Sequence, residues 1–157
     1  MEIRSARFPD DADLVRTLFR EYADWLGVDL SFQGFEEELA SLPGKYAPPG
    51  GDVLLAAGDG DAHGCIAFRP FEGSTCEMKR LWVRPEARRD GLATALVGEL
   101  ERRAAASGYT AVVLDTLRTM TPALALYLRL GYREIEPYYH NPLPDAVYLA
   151  KDIGPSA

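Results

Sequence analysis

The apolar run Leu81-Trp82-Val83 gives way to a long helical pattern, and the join between them carries Arg88-Arg89-Asp90-Gly91-Leu92-Ala93-Thr94. A strand, a glycine turn and a helix start, in that order, restrict the backbone to α/β arrangements and create an anion site. The first N–H groups of a helix lack intrahelical partners and together carry about half a positive charge. Gly91 and Ala93 leave room for a phosphate against the backbone, while Arg88 and Arg89 add charge beside it. Taken alone, the stretch points to a bound phosphate and to nothing sharper.

The chain has 157 residues, the length of one domain with its own core, expected over residues 1–153 with a flexible tail at 154–157. No apolar run is long enough to span a bilayer, and Met1-Glu2-Ile3-Arg4 passes directly into foldable sequence. The expected setting is therefore cytoplasmic, with no membrane partner. Cys65 and Cys76 lie in strand-like contexts and read as two buried, reduced thiols, with neither a disulfide framework nor a metal site. A formal net charge of −7 argues against a nucleic-acid partner. The charge is uneven. Nine acidic residues from Asp10 to Glu38 are interrupted only by Arg16 and Arg20, whereas Lys79, Arg80, Arg84, Arg88 and Arg89 cluster before the glycine turn. Such a basic strip suits a small polyanion, or else forms a solvated edge.

Periodicity places the remaining elements. Ile3–Arg7 reads as a strand, and Asp10 or Asp11 caps a helix with Leu14, Val15, Leu18, Phe19, Tyr22, Trp25 and Leu26 on one face, stopped by Gly27. A short helix follows over Gly34–Leu42. Asp52–Ala57 and His63–Arg69 form a hairpin around Gly58-Asp59-Gly60-Asp61, and Thr75–Val83 is the next strand. Gly91–Ser107 is a helix ended by Gly108, Thr110–Asp115 a buried strand, and Pro122–Leu130 a helix ended by Gly131. Tyr132–Ile135 and Ala146–Lys151 close the sheet around a loop running from Pro137 to Pro144.

Arg88, Gly91 and Ala93 match an Arg-x-x-Gly-x-Ala turn, and Leu126-Tyr127-x-x-x-Gly131-Tyr132 ends the later helix. In this order the two motifs resemble the GNAT superfamily of N-acetyltransferases. The clear resemblance covers about Glu77 to Tyr132. It implies an α/β (α+β) fold: a mixed, mostly antiparallel central sheet flanked by helices and splayed near Val83 at a cofactor cleft. It also implies acetyl-CoA as cosubstrate, with no metal. The amides of Arg88, Arg89, Asp90, Gly91, Leu92, Ala93 and Thr94 would hold its diphosphate. The backbone of Leu81, Trp82 and Val83 would pair with the pantetheine arm, the Leu81 N–H polarising the thioester. Asp90 is a departure, a carboxylate in a turn that must hold diphosphate, and is read as an exposed cap pointing away.

By the same resemblance Glu77 is the candidate base, directly or through water, and Tyr127 the acid that protonates the departing thiolate. For Glu77 the structural alternative is an ion pair with Lys79, Arg80 or Arg133; for Tyr127 it is a core aromatic. The acceptor site would draw on Tyr22, Trp25, Tyr138, Tyr139, His140 and Asn141, with Arg118 meeting a substrate carboxylate. A lysine-like amine of pKa about 10.4 is neutral in roughly one molecule per thousand near pH 7.4, a penalty of about 4 kcal/mol, so it needs a base more than an α-amine of pKa near 8 does. The expected activity is acetyl transfer to a primary amine, of a small molecule, by direct attack. The alternatives are a catalytically silent acyl-CoA-binding module and a protein-lysine acetyltransferase. The oligomeric state, a homodimer included, is left open.

Overall fold

The computed structural model describes residues 2–58, 60–88 and 91–154. Arg89 and Asp90 of the glycine turn, and most of the expected tail, lie outside the described residues. The strands are β1 (Glu2–Ser5), β2 (Asp52–Gly58), β3 (Asp61–Glu72), β4 (Thr75–Val83), β5 (Ala111–Leu117), β6 (Arg133–Ile135) and β7 (Ala146–Asp152). The helices are α1 (Ala12–Leu26), α2 (Phe35–Ala40), α3 (Leu92–Ala106) and α4 (Thr121–Arg129), with single 3₁₀ turns at Ser31–Gln33, Gly44–Tyr46 and Pro85–Ala87.

The strands form one seven-stranded sheet in the order β1-β2-β3-β4-β5-β7-β6. β4 and β5 pair in parallel and every other neighbour is antiparallel. Strand alternation divides the apolar residues between two faces. Leu54, Ile66 and Phe68 pack with Leu96 and Leu100 of α3, while Leu55 and Ala67 pack with Leu18 and Phe19 of α1 and Phe35 and Leu39 of α2.

Helix α1 starts differently from the simple cap that the acidic pair suggests. The Asp11 carboxylate makes no cap to its own helix. It accepts from the Arg7 N–H at 2.7 Å and from the Arg4 guanidinium at 2.8 and 3.3 Å, tying the helix start to β1. Gly27, with φ of 74°, ends the helix as a glycine can and a branched residue cannot.

The feature that shapes the site is an irregularity in β4. Cys65 pairs with Trp82 and Ala67 with Lys79, so β4 spends one extra residue against β3. Arg80 sits there with φ of 63°, the only non-glycine at positive φ among the described residues, at a backbone cost of about 1–2 kcal/mol. At this bulge the neighbours Lys79 and Arg80 both reach Gln33, in the turn between α1 and α2. Pairing between β4 and β5 is confined to Thr75–Glu77 against Ala111–Val113. The sheet therefore opens just after Glu77, several residues before Val83, where the sequence had put the splay.

Candidate active site

A cavity occupies the gap between the separated ends of β4 and β5. Its walls include Tyr22 and Trp25 of α1, Gln33, then Lys79, Arg80 and Leu81 of β4, Asp115 of β5, Tyr127 of α4 and Asn141. Its polar side is a buried charge cluster. Arg80, 3% exposed, donates to Glu38 at 3.0 and 3.1 Å and to Gln33 Oε1 at 2.9 Å. Its guanidinium also lies over the rings of Phe35 and Tyr22, at 5.1 and 5.8 Å. Buried charges persist only when paired in this way.

Lys79 is 6% exposed but less well held. Its ammonium donates to Gln33 Oε1 at 3.2 Å and lies 3.6 Å from Asp115 Oδ1 and 3.9 Å from Glu77 Oε2. Burial pushes its pKa below the ordinary lysine value, against the pull of Asp115. Asp115 Oδ2 accepts from the Tyr139 hydroxyl at 2.5 Å and from Asn141 Nδ2 at 3.1 Å. Among the described residues, nothing donates a hydrogen bond to its Oδ1. Burial, and then the Asp115 charge, push the Tyr139 phenol upward, so it stays a donor.

Glu77 stands one layer behind the cavity. Its residue is 4% exposed, Arg69 Nε donates to one oxygen at 2.9 Å, and the Tyr138 hydroxyl donates to the other at 2.7 Å. The main ion-pair partner is thus Arg69 of β3, directly opposite in the register, with Lys79 a distant second. Of the other two partners considered, Arg80 goes to Glu38 and Arg133 lies near Asp152. Tyr127 does line the cavity. Its ring meets Tyr132 edge-on at 5.8 Å, burial raises the pKa of its phenol, and its hydroxyl makes no hydrogen bond among the described residues.

On the cofactor side, Leu81 lines the cavity and the β5-facing edge of β4 beyond Glu77 has no strand partner. The Trp82 side chain is in the core and donates its indole N–H to Glu21 at 3.0 Å. Val83 packs on the opposite face. Gly91 has φ of 69° and caps α3, and a Cβ placed there would meet nothing within 4 Å. Leu92 is buried, Ala93 packs on the core and Thr94 is exposed, so the helix start is anchored from inside with its amides at the surface. Three arginines of the basic strip, Arg80, Arg84 and Arg88, are already engaged. Arg84 pairs with Glu21 at 2.8 Å, and Arg80 pairs with Glu38. Arg88 donates to the Val83 carbonyl at 3.0 Å and lies over Trp82 and Trp25 at 5.0 and 5.5 Å. Two acids of the N-terminal third, Glu21 and Glu38, are its counter-charges.

Of the expected acceptor residues, Tyr22 and Trp25 reach the cavity. Tyr138 and Tyr139 act from behind it through Glu77 and Asp115. His140 is exposed and away from the lining, because the loop turns Asn141 inward instead. Arg118 is also away from it, in an exposed pair with Glu134 at 3.1 Å. Gln33, Lys79, Arg80 and Asp115 are the cavity residues the sequence reading missed. A signal existed for Asp115, a lone carboxylate closing the apolar run Ala-Val-Val-Leu. Both cysteines are buried and free. Burial pushes the Cys76 thiol up to about 12 and Cys65 higher, leaving neither a ready nucleophile.

A mixed sheet opened at its parallel pair, with an unpaired strand edge running toward a glycine-capped helix, is the architecture of an acyl-CoA-dependent acyltransferase. Residues 15–132 match the model of the Acetyltransferase (GNAT) family, and the chain belongs to that family. It is 45% identical over 155 residues to an uncharacterized N-acetyltransferase of Schizosaccharomyces pombe, covering 98% of this chain and 95% of that one. It is 30% identical over 141 residues to aminoglycoside N(6')-acetyltransferase type 1 of Klebsiella aerogenes, covering 80% and 93%. The fold matches that of an aminoglycoside 6'-N-acetyltransferase complexed with coenzyme A, with a TM-score of 0.74 and 21% identity over 100% and 99% of the two chains. The protein is thus an acyltransferase, and its fold supports acyl-CoA as donor. Among the described residues no helix is long and apolar enough to cross a membrane.

Proposed function

We propose that the protein transfers the acetyl group of acetyl-CoA to a primary amine of a small molecule, by direct attack in the cavity between β4 and β5. One observation carries this reading: an unbonded phenol, Tyr127, and an open carboxylate oxygen, Asp115 Oδ1, face the same cavity beside the free edge of β4. Pantetheine adds to that edge as an extended strand. The first amides of α3, at Leu92, Ala93 and Thr94, hold the diphosphate, and Gly91 keeps the approach clear. Arg88 contributes main chain, since its guanidinium is committed to Val83 and the indoles.

The amine nitrogen attacks the thioester carbonyl carbon, and the Leu81 N–H stabilises the oxyanion. The N–C bond forms, the C–S bond breaks, and the thiolate takes the Tyr127 proton. The amine's proton goes to Asp115 Oδ1. This moves the role of base from Glu77, which the Arg69 and Tyr138 contacts wall off, to the carboxylate that reaches the cavity. Glu77 becomes a positioning residue that balances Lys79 and Arg69.

The test is a pair of pH profiles of kcat/KM, for Asp115→Asn and Glu77→Gln, with the best amine from a broad panel. Asp115→Asn should lose about 10²–10⁴-fold near neutral pH and recover as solvent deprotonates the amine. Glu77→Gln should lose less, with a profile of unchanged shape. The reverse pattern returns the base to Glu77.

A further inference from the structure

We infer that the acceptor is an amino carboxylate, a molecule carrying its amine and a carboxylate a few ångströms apart; this rests on the acetyl-transfer reading above. The carboxylate is received by Lys79 and the amine by Asp115. Two unfilled valences carry the inference. The Lys79 ammonium has three donors, is 6% exposed, and makes a single hydrogen bond, to Gln33. Its neighbours at 3.6 and 3.9 Å lie beyond hydrogen-bonding distance. Asp115 has one oxygen filled twice, by Tyr139 and Asn141, while the other accepts no hydrogen bond among the described residues and holds only the long ion pair with Lys79.

These two groups form a loose ion pair at 3.6 Å on the wall of the same cavity, so one small ligand entering it meets an ammonium and a carboxylate side by side. A ligand with one charge of each sign completes both. Arg80 does not compete for it, because Glu38 and Gln33 already occupy its guanidinium. Glu38 offsets Arg80 and Asp115 offsets Lys79, so the site is charge-balanced, and a ligand with one charge of each sign keeps that balance. A polycationic acceptor would set its further ammonium groups against Lys79, and like charges in so buried a site discriminate strongly. The same cavity therefore selects against the highly basic amines that a resemblance to aminoglycoside-modifying relatives would suggest.

The experiment compares matched acceptors: each protein amino acid and its β- and γ-amino homologues, the corresponding amides, and the amines lacking the carboxyl group. Polyamines and aminoglycosides complete the panel. Thiol release from acetyl-CoA gives kcat/KM for wild type, Lys79→Met and Lys79→Arg, with acetyl-CoA affinity by calorimetry as control. Wild type should prefer the best acid over its amide by roughly tenfold or more. Lys79→Met should abolish that preference, lowering kcat/KM for the acid more than for the amide while acetyl-CoA affinity is kept, and Lys79→Arg should retain part of it. Equal use of acid, amide and amine, or a preference that survives Lys79→Met, overturns the inference alone. If Lys79→Met does not fold, the wild-type ratio of acid to amide still decides. Acetyl-CoA binding without thiol release for any amine overturns the acetyl-transfer reading itself.

Discussion

Removing the carboxylate of Glu38 tests how the bulge in β4 is held. Arg80 sits at positive φ, is 3% exposed, and gives Glu38 two hydrogen bonds at 3.0 and 3.1 Å. Taking away one partner of a buried ion pair costs about 3–5 kcal/mol, because the remaining charge is stranded. Gln33 keeps one bond to the guanidinium at 2.9 Å, which favours the low end, about 3 kcal/mol for Glu38→Ala. At about 2–4 °C per kcal/mol for a chain of this size, Tm should fall by about 6–12 °C in scanning calorimetry. A second variant separates charge from shape. Glu38→Leu combined with Arg80→Met replaces the pair with apolar volume and should recover most of the loss. A single-variant cost below about 1 kcal/mol would place the pair among ordinary exposed salt bridges and refute the argument. A double variant no more stable than Glu38→Ala would do the same.

Gly91→Asp puts a carboxylate at the diphosphate site, so acetyl-CoA affinity by calorimetry should weaken at least tenfold, about 1.4 kcal/mol. Positive φ adds a stability cost of about 1 kcal/mol, while the open space around the position lets the fold survive. Tyr127→Phe should lower kcat by roughly tenfold or more with little change in the acetyl-CoA KM, and Tm should barely move because no hydrogen bond is lost. Asp11→Asn tests the tie between α1 and β1. Hydrogen bonding from Arg4 holds the Asp11 pKa below its ordinary 3.8, so the carboxylate stabilises the fold above that pH and ceases to as pH falls through the lower folded value. Urea titrations should show a gap from wild type of about 1 kcal/mol near pH 7 that closes below about pH 3.8.

Periodicity made most of the elements legible, since Leu54 and Leu55 go to opposite faces as alternation requires, and the run from Leu92 to Ala104 lies on one side of α3. The bulge was not legible. A glycine would have announced it, but Arg80 holds its unusual backbone conformation through Glu38, forty-two residues away in sequence. Long-range pairing also hid Lys79 and Arg80, because a run of charges ordinarily marks a solvated surface, while the acidic partner of Arg80 is Glu38 and that of Lys79 is Asp115. Glu77 was placed on the correct strand, yet its side chain faces Arg69 because register decides orientation, and the bulge beyond it was invisible in the sequence. His140 and Arg118 follow from the position of their segments beside the split, which does not fix where each side chain points. The loop conformation decides which of His140 and Asn141 turns inward, and that rests on the contacts of Asn141 with Asp115 and Tyr139.

The clasp of Glu38 and Gln33 on Arg80 has a consequence for how acceptor range can change. The segment containing α1 and α2 shapes the acceptor cavity, so it is the natural piece to exchange among relatives when new specificity is sought. Yet this segment also supplies the counter-charge for a guanidinium on the strand whose next amide, that of Leu81, is proposed above to address the thioester. A transplanted segment lacking an acid at the place of Glu38 would disturb β4 as well as the acceptor wall. On the proposed function, recognition and chemistry are therefore inherited together in this chain, and a graft intended to alter one should carry both Gln33 and Glu38 with it.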